Sequence, residues 1–175
     1  MGAYPLDSTY RLGGIGVAKM LEDANAVELD GKVVSGVDGG TVYLQEPGRF
    51  SGIAVKGLSG YQPGDVVASV IGALSTDISG GRVLTASSAS APVRGHFTLA
   101  PLGSGLSCGT GLTGVYVRAW GQVQQLTSNG FTLYDGKSAS QVRYSSASFD
   151  AGDYVMVTGA RTNNGSIAAG SVTRL

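Results

Sequence analysis

The sequence predicts an all-β protein made of two small barrels in tandem, with one short helix near the N-terminus. Three observations carry this expectation. Residues 27–72 and 117–159 repeat one order of strands, glycines and turns about ninety residues apart, and self-similarity at a long period decides architecture before any single residue does. Within each copy, Val, Ile, Tyr, Phe and Thr alternate with polar residues over five to eight positions, punctuated by turn residues roughly every ten. The composition of the 175 residues, with 29 Gly, 42% hydrophobic and 14% charged, supplies a core but leaves an uncharged Ser/Thr/Gly surface, as in many secreted β-proteins.

The elements follow in chain order. Pro5 and the Gly13-Gly14 pair make residues 1–14 an extended arm outside the repeat. Val17, Met20 and Leu21 stand at helical spacing, so residues 16–24 read as a short helix that caps one barrel end. The first barrel, 27–86, opens on a strand around Gly31 and turns at Asp38-Gly39-Gly40. A strand ending in Glu46, a short strand at Ile53-Ala54-Val55, a Gly64-Asp65 step and a β-rich run to Gly72 follow. The second barrel, 115–175, repeats this with Gly121, a turn at Ser128-Asn129-Gly130, a strand from Gly130 ending in Asp135, Val142-Arg143-Tyr144, Gly152-Asp153 and Gly159. Asn129-Gly130, Asp135-Gly136, Gly80-Gly81 and Asn164-Gly165 are hairpin signals, because type I′ turns require positive φ. The connection, 87–114, is too long for a turn. Phe97, Leu99 and Leu102 give it apolar residues to pack over both barrels as an ordered strap.

These motifs resemble OB-fold modules, in particular the tandem OB-like pairs of secreted and surface bacterial proteins. Gly31, Val33, Leu44, Glu46, Gly64, Asp65, Val67 and Gly72 carry the likeness in the first copy. Gly121, Val123, Leu133, Asp135, Gly152, Asp153, Val155 and Gly159 carry it in the second, and together the copies span about three quarters of the chain. The resemblance implies two small Greek-key barrels. It leaves the ligand open, since such barrels bind nucleic acid, sugars or proteins. The helix often found between the third and fourth strands is missing, so something else must close each barrel.

Several function classes find little support. Cys108 is the one cysteine, which excludes an internal disulfide and offers no Cys/His cluster for a metal. His96, the one histidine, has no Ser or Cys arrangement around it, and Asp65 and Asp153 are turn residues rather than an acid-base pair. No catalytic residue and no cofactor are therefore expected. No apolar run is long enough to span a membrane, and no signal-peptide pattern opens the chain as given.

Net charge is zero overall but uneven. Residues 27–86 carry four basic side chains (Lys32, Arg49, Lys56, Arg82) against six acidic ones, a net of −2, and residues 115–175 carry five (Arg118, Lys137, Arg143, Arg161, Arg174) against three, a net of +2. An acidic module can meet a basic one head to tail. The leading expectation is a non-enzymatic extracellular or cell-surface structural protein that self-associates, as in a filament. Its arm residues Tyr4, Leu6, Thr9, Tyr10 and Leu12 either cross to a neighbouring subunit or fold back on their own barrel. The alternative is a binding module for single-stranded nucleic acid or polysaccharide through Tyr134, Arg143, Arg118 and Tyr144. Without a Lys/Arg cluster to release phosphate counterions, nucleic acid is the weaker partner and glycan the stronger. Trp120 reads as a core or intermodule anchor. Asn164-Gly165-Ser166 fits both a glycosylation triplet and a hairpin tip.

Overall fold

Alternation along each strand puts one row of side chains into a core, and in the computed structural model those rows close two five-stranded barrels. The structure describes residues 9–95, 97–107, 109–145 and 149–175. The chain enters through β1 (Tyr10–Leu12) and a one-turn helix α1 (Ile15–Ala18). The first barrel comprises β2 (Ala26–Asp38), β3 (Thr41–Gln45), β4 (Gly52–Lys56), β5 (Val66–Thr76) and β6 (Arg82–Ala89). A two-residue β7 (Leu102–Gly103) and a 3-10 turn (Gly109–Leu112) lead into the second. That barrel comprises β8 (Tyr116–Thr127), β9 (Gly130–Tyr134), β10 (Ala139–Arg143), β11 (Tyr154–Arg161) and β12 (Ile167–Arg174).

Both barrels have one topology. The first strand pairs with the second and closes on the fourth, while the third lies parallel to the fifth, giving β2-β3-β4-β6-β5-β2 and β8-β9-β10-β12-β11-β8. This is the OB-type Greek key. Each barrel also carries the same clamp, in which an Arg from the end of the last strand or just beyond it reaches the Asp of the Gly-Asp turn: Arg94 to Asp65 at 2.6 Å, and Arg174 to Asp153.

The lead-in segments close the barrels, and they are equivalent. β1 lies parallel to β2 (Tyr10 opposite Val27), and β7 lies parallel to β8 (Leu102 opposite Val117), so the repeat reaches into the segments ahead of both barrels. In the first barrel Ile15 and Ala18 enter the core, with Leu12 and Leu21 packed against it. In the second, Leu106 enters and Leu102 and Leu112 pack against it. The helix is shorter than the 16–24 expected and presents a different face. Val17 and Met20 are exposed, because glycines at 13, 14 and 16 weaken helix formation and barrel closure chooses the buried side. The β8–β9 turn falls on Ser128 and Asn129, one residue ahead of the Asn129-Gly130 pair expected at its centre, and Gly130 starts β9 as expected, where an added Cβ would lie 1.8 Å from the Val142 carbonyl oxygen.

The barrels meet across a third buried cluster of Tyr43, Ala54, Val83, Ala160 and Ala168. Close backbone approach requires glycine here. A Cβ on Gly36 would sit 2.6 Å from that of Ala160, and one on Gly114 (φ 79) would sit 2.3 Å from the Ile53 nitrogen. Ser35 Oγ donates to Gly114 O at 2.5 Å, and the Tyr116 amide donates to Gln45 Oε1 at 2.8 Å. Arg143 of the basic module pairs with Asp38 of the acidic one at 2.5 Å, so the charge asymmetry is used inside the chain.

Candidate functional site

The strand β8 buries Val117, Ala119, Gly121 and Val123 and turns Tyr116, Arg118, Trp120 and Gln122 outward. Its partner β11 buries Val155 and Val157 and turns Tyr154 and Met156 outward. Pairing brings these rows together: Gln122 opposite Tyr154, Trp120 opposite Met156, and Arg118 opposite Thr158. On the other flank Gln122 stands opposite Tyr134 of β9. Directly opposed residues have Cβ atoms about 4.5–5.5 Å apart. Tyr134, Gln122 and Tyr154 therefore cross three strands as one row, with Trp120 one step along. Together with Asp135 and Leu175 they line an open trough of about 320 Å³. Trp120 is 47% and Tyr154 60% exposed, high for such large apolar rings on a barrel wall.

Hydrogen bonds hold the trough in shape. The Tyr134 hydroxyl donates to Gly136 O at 2.8 Å, and Gln122 Nε2 donates to Gly152 O at 3.1 Å. The acids at the rim are already satisfied. Asp135 accepts from the amides of Ser138, Lys137 and Leu106, which hold its carboxyl below the usual range. Asp153 is depressed first by the Asp150 amide and then by Arg174. What remains available is a set of aromatic faces and amides.

The equivalent spot on the first barrel is filled by the chain itself. Its row is Gln45, Val33 and Val66, in the same register as Tyr134, Gln122 and Tyr154. There Gln45 and Val33 are buried, Tyr116 bonds Gln45, and Val93 of the connection bridges Val66. The fold thus offers the same position twice, covered once and carrying exposed aromatics once.

The four ligand residues expected from the sequence do not converge on one place. Tyr134 lines the trough, while Arg118 stands two residues along β8 from Trp120, opposite Thr158 and outside the lining. Arg143 and Tyr144 lie instead on the side facing the first barrel, Arg143 held by Asp38 and Tyr144 beside Phe149 with ring centroids 6.5 Å apart. Trp120 is neither core nor intermodule anchor but an exposed ring lining the trough. Tyr154 was not singled out by sequence. Strand parity identifies both, since Trp120 shares the outward phase of Arg118 and Gln122, and Tyr154 that of Met156.

Of the arm residues, Tyr4 and Leu6 lie outside the described residues. Thr9 is exposed, and Tyr10–Leu12 pair with the chain's own β2, Leu12 against the first core. His96 and Cys108 also lie outside the described residues. Asn164 is exposed in the β11–β12 hairpin, its Oδ1 accepting from Thr162 Oγ1 at 2.6 Å. Among the described residues no group of three or more His, Cys, Asp or Glu could hold a metal, and no helix is long and apolar enough to cross a membrane.

Fold and site together define a tandem OB-type barrel protein with an aromatic trough on its second barrel. The chain matches no protein-family model, no curated protein and no solved structure.

Proposed function

We propose that this chain is a non-enzymatic binding module, suited to a secreted or surface-exposed setting, whose second barrel takes a neutral polysaccharide in the trough formed by Trp120, Gln122, Tyr134 and Tyr154. The observation that carries this reading is the exposure of Tyr154, with Trp120 beside it, where the first barrel keeps the equivalent row covered. Sugar rings present apolar C–H faces that stack on such aromatics, and their hydroxyls find the Gln122 amide. Satisfied rim acids and a near-neutral surface favour an uncharged ligand over a phosphate backbone, which would need several free cations.

A filament built by repeating the barrel–barrel contact has less support. That contact uses Tyr43 and Ala54, whose register equivalents on the second barrel are Thr132 and Gln141. These are polar and bonded to each other at 2.7 Å. A polar outer face of this kind ends a stack rather than extending it.

The test is retention of the intact protein on a panel of immobilised neutral polysaccharides, against Trp120→Ala and Tyr154→Ala. At least one polysaccharide should retain the protein, and each substitution should weaken retention about tenfold, equivalent to ~1.4 kcal/mol. Added salt should change little. Binding that is unaffected by both substitutions, or binding only to oligonucleotides with a steep salt dependence, would overturn the reading.

A further inference from the structure

Between the barrels lies a second concavity of about 170 Å³ to which both barrels contribute. Its walls include Thr41, Tyr43, Lys56 and Asp77 from the first barrel and Arg143 and Asn163 from the second. Asn163 is 8% exposed. Its Nδ2 donates to Asp77 Oδ2 at 2.5 Å, and its Oδ1 is buried without a protein partner. The position is enforced: a Cβ on Gly81 would lie 2.7 Å from the Asn163 Cγ, so the hairpin beneath is kept bare for the amide to reach Asp77. A buried unpaired acceptor costs about 1–3 kcal/mol unless something donates to it.

The surroundings define the donor. Asp77 also accepts from the Ser79 and Gly81 amides at 2.9 Å each, which fixes its carboxylate, and Arg143 is paired with Asp38. Lys56 makes no ion pair among the described residues. The cleft therefore offers a nearly balanced charge, a buried phenol and several hydroxyl and amide groups around one orphan acceptor. Its volume is well below the roughly 300–1,000 Å³ of pockets for larger ligands. We infer that this inter-barrel cleft binds a single neutral pyranose unit, one ring hydroxyl donating to Asn163 Oδ1 and others bonding Lys56 and Thr41. The site shares no residue with the trough, so it stands or falls separately from the polysaccharide reading.

The experiment is a titration of the intact, isotope-labelled protein with the methyl glycosides of glucose, galactose, mannose and N-acetylglucosamine, followed by NMR at the Asn163 side-chain amide and the Tyr43 ring. At least one glycoside is expected to shift both signals saturably. Asn163→Ala and Lys56→Gln should each weaken that binding tenfold or more, and Trp120→Ala should leave it unchanged. Lys56 is exposed, so Lys56→Gln folds even where Asn163→Ala proves unstable. If no glycoside shifts the Asn163 amide, or if Trp120→Ala abolishes the shift, the cleft holds only water or the response arises in the trough, and the inference is wrong.

Discussion

At the scale of single residues, the polar groups inside this molecule show how little is left to chance where charge is buried. Arg161 is the bulkiest fully buried side chain among the described residues. Its guanidinium donates to Ser140 Oγ and to the carbonyls of Gly105, Leu106 and Gly165, tying the connection to the second barrel. Lys32 is treated alike on the first barrel, reaching Glu46 at 2.9 Å and the Gly13 carbonyl at 3.1 Å. Tyr43 is a buried group whose ionisation is displaced. Burial, aided by the nearby Asp38 charge and opposed by Arg143, pushes its phenol up to about 12. The folded pKa is raised, so Tyr43 leaves stability unaffected below the unfolded value near 10. Stability is then lost as pH rises from 10 through 12, where only the unfolded chain releases the proton. In an absorbance titration Tyr43 should be among the last of the 8 tyrosines to ionise, with a falling melting temperature over the same interval. Tyr43→Phe should flatten that fall, and an unchanged alkaline slope in the variant would show that Tyr43 is not its source.

At the scale of elements, the lead-in segments decide whether each barrel is closed. α1 is too short to be stable by itself; it persists because Ile15 and Ala18 fill the barrel mouth and the Ile15 amide donates to Glu46 Oε1 at 2.5 Å. Ile15→Ala should therefore cost about 2–5 kcal/mol in a urea unfolding series. Met20→Ala, one turn away and 85% exposed, should stay within about 0.5 kcal/mol. Comparable losses at the two positions would contradict the plug. Of Val17, Met20 and Leu21, which stand at helical spacing, only Leu21 packs against the core, since nothing local distinguishes a barrel plug from a free amphipathic turn. The strands were legible because their information is local: alternation gives the buried row, and glycines mark turns and close approaches. The trough was half legible. Parity places Trp120 and Tyr154 outward, yet their convergence with Tyr134 depends on a register in which Val33, rather than Lys32, corresponds to Gln122. Only pairing fixes that offset. The inter-barrel cleft was not legible at all, because Asn163 and Asp77 are 86 positions apart and meet only once both barrels have closed.

At the scale of the whole molecule, the question is whether two barrels of similar topology behave as two domains or one. The contacts between them argue for one. The third buried cluster takes Tyr43, Ala54 and Val83 from one barrel and Ala160 and Ala168 from the other, so unfolding either barrel exposes apolar surface on its partner. The same event leaves Gln45 Oε1 without the Tyr116 amide and Ser35 without the Gly114 carbonyl, both buried in the intact molecule, and the half-buried Asp77 without Asn163. Each such bond, exchanged for one to water, adds about 0.5–1.5 kcal/mol to the cost of opening one barrel alone, on top of the exposed apolar surface. With overall stabilities of about 5–15 kcal/mol, a few of these losses suffice to make the half-unfolded state rare. Calorimetry should then show one transition, with a calorimetric enthalpy close to the van't Hoff value and near 120 kcal/mol, about 0.7 kcal/mol for each of 175 residues around 60 °C. Independent barrels would instead give two transitions, or one with a calorimetric enthalpy about twice the van't Hoff value. Cooperative melting would also bear on ligand binding: the cleft residues come from both barrels, so a ligand held there stabilises the pair as a unit and should raise the single melting temperature without splitting it.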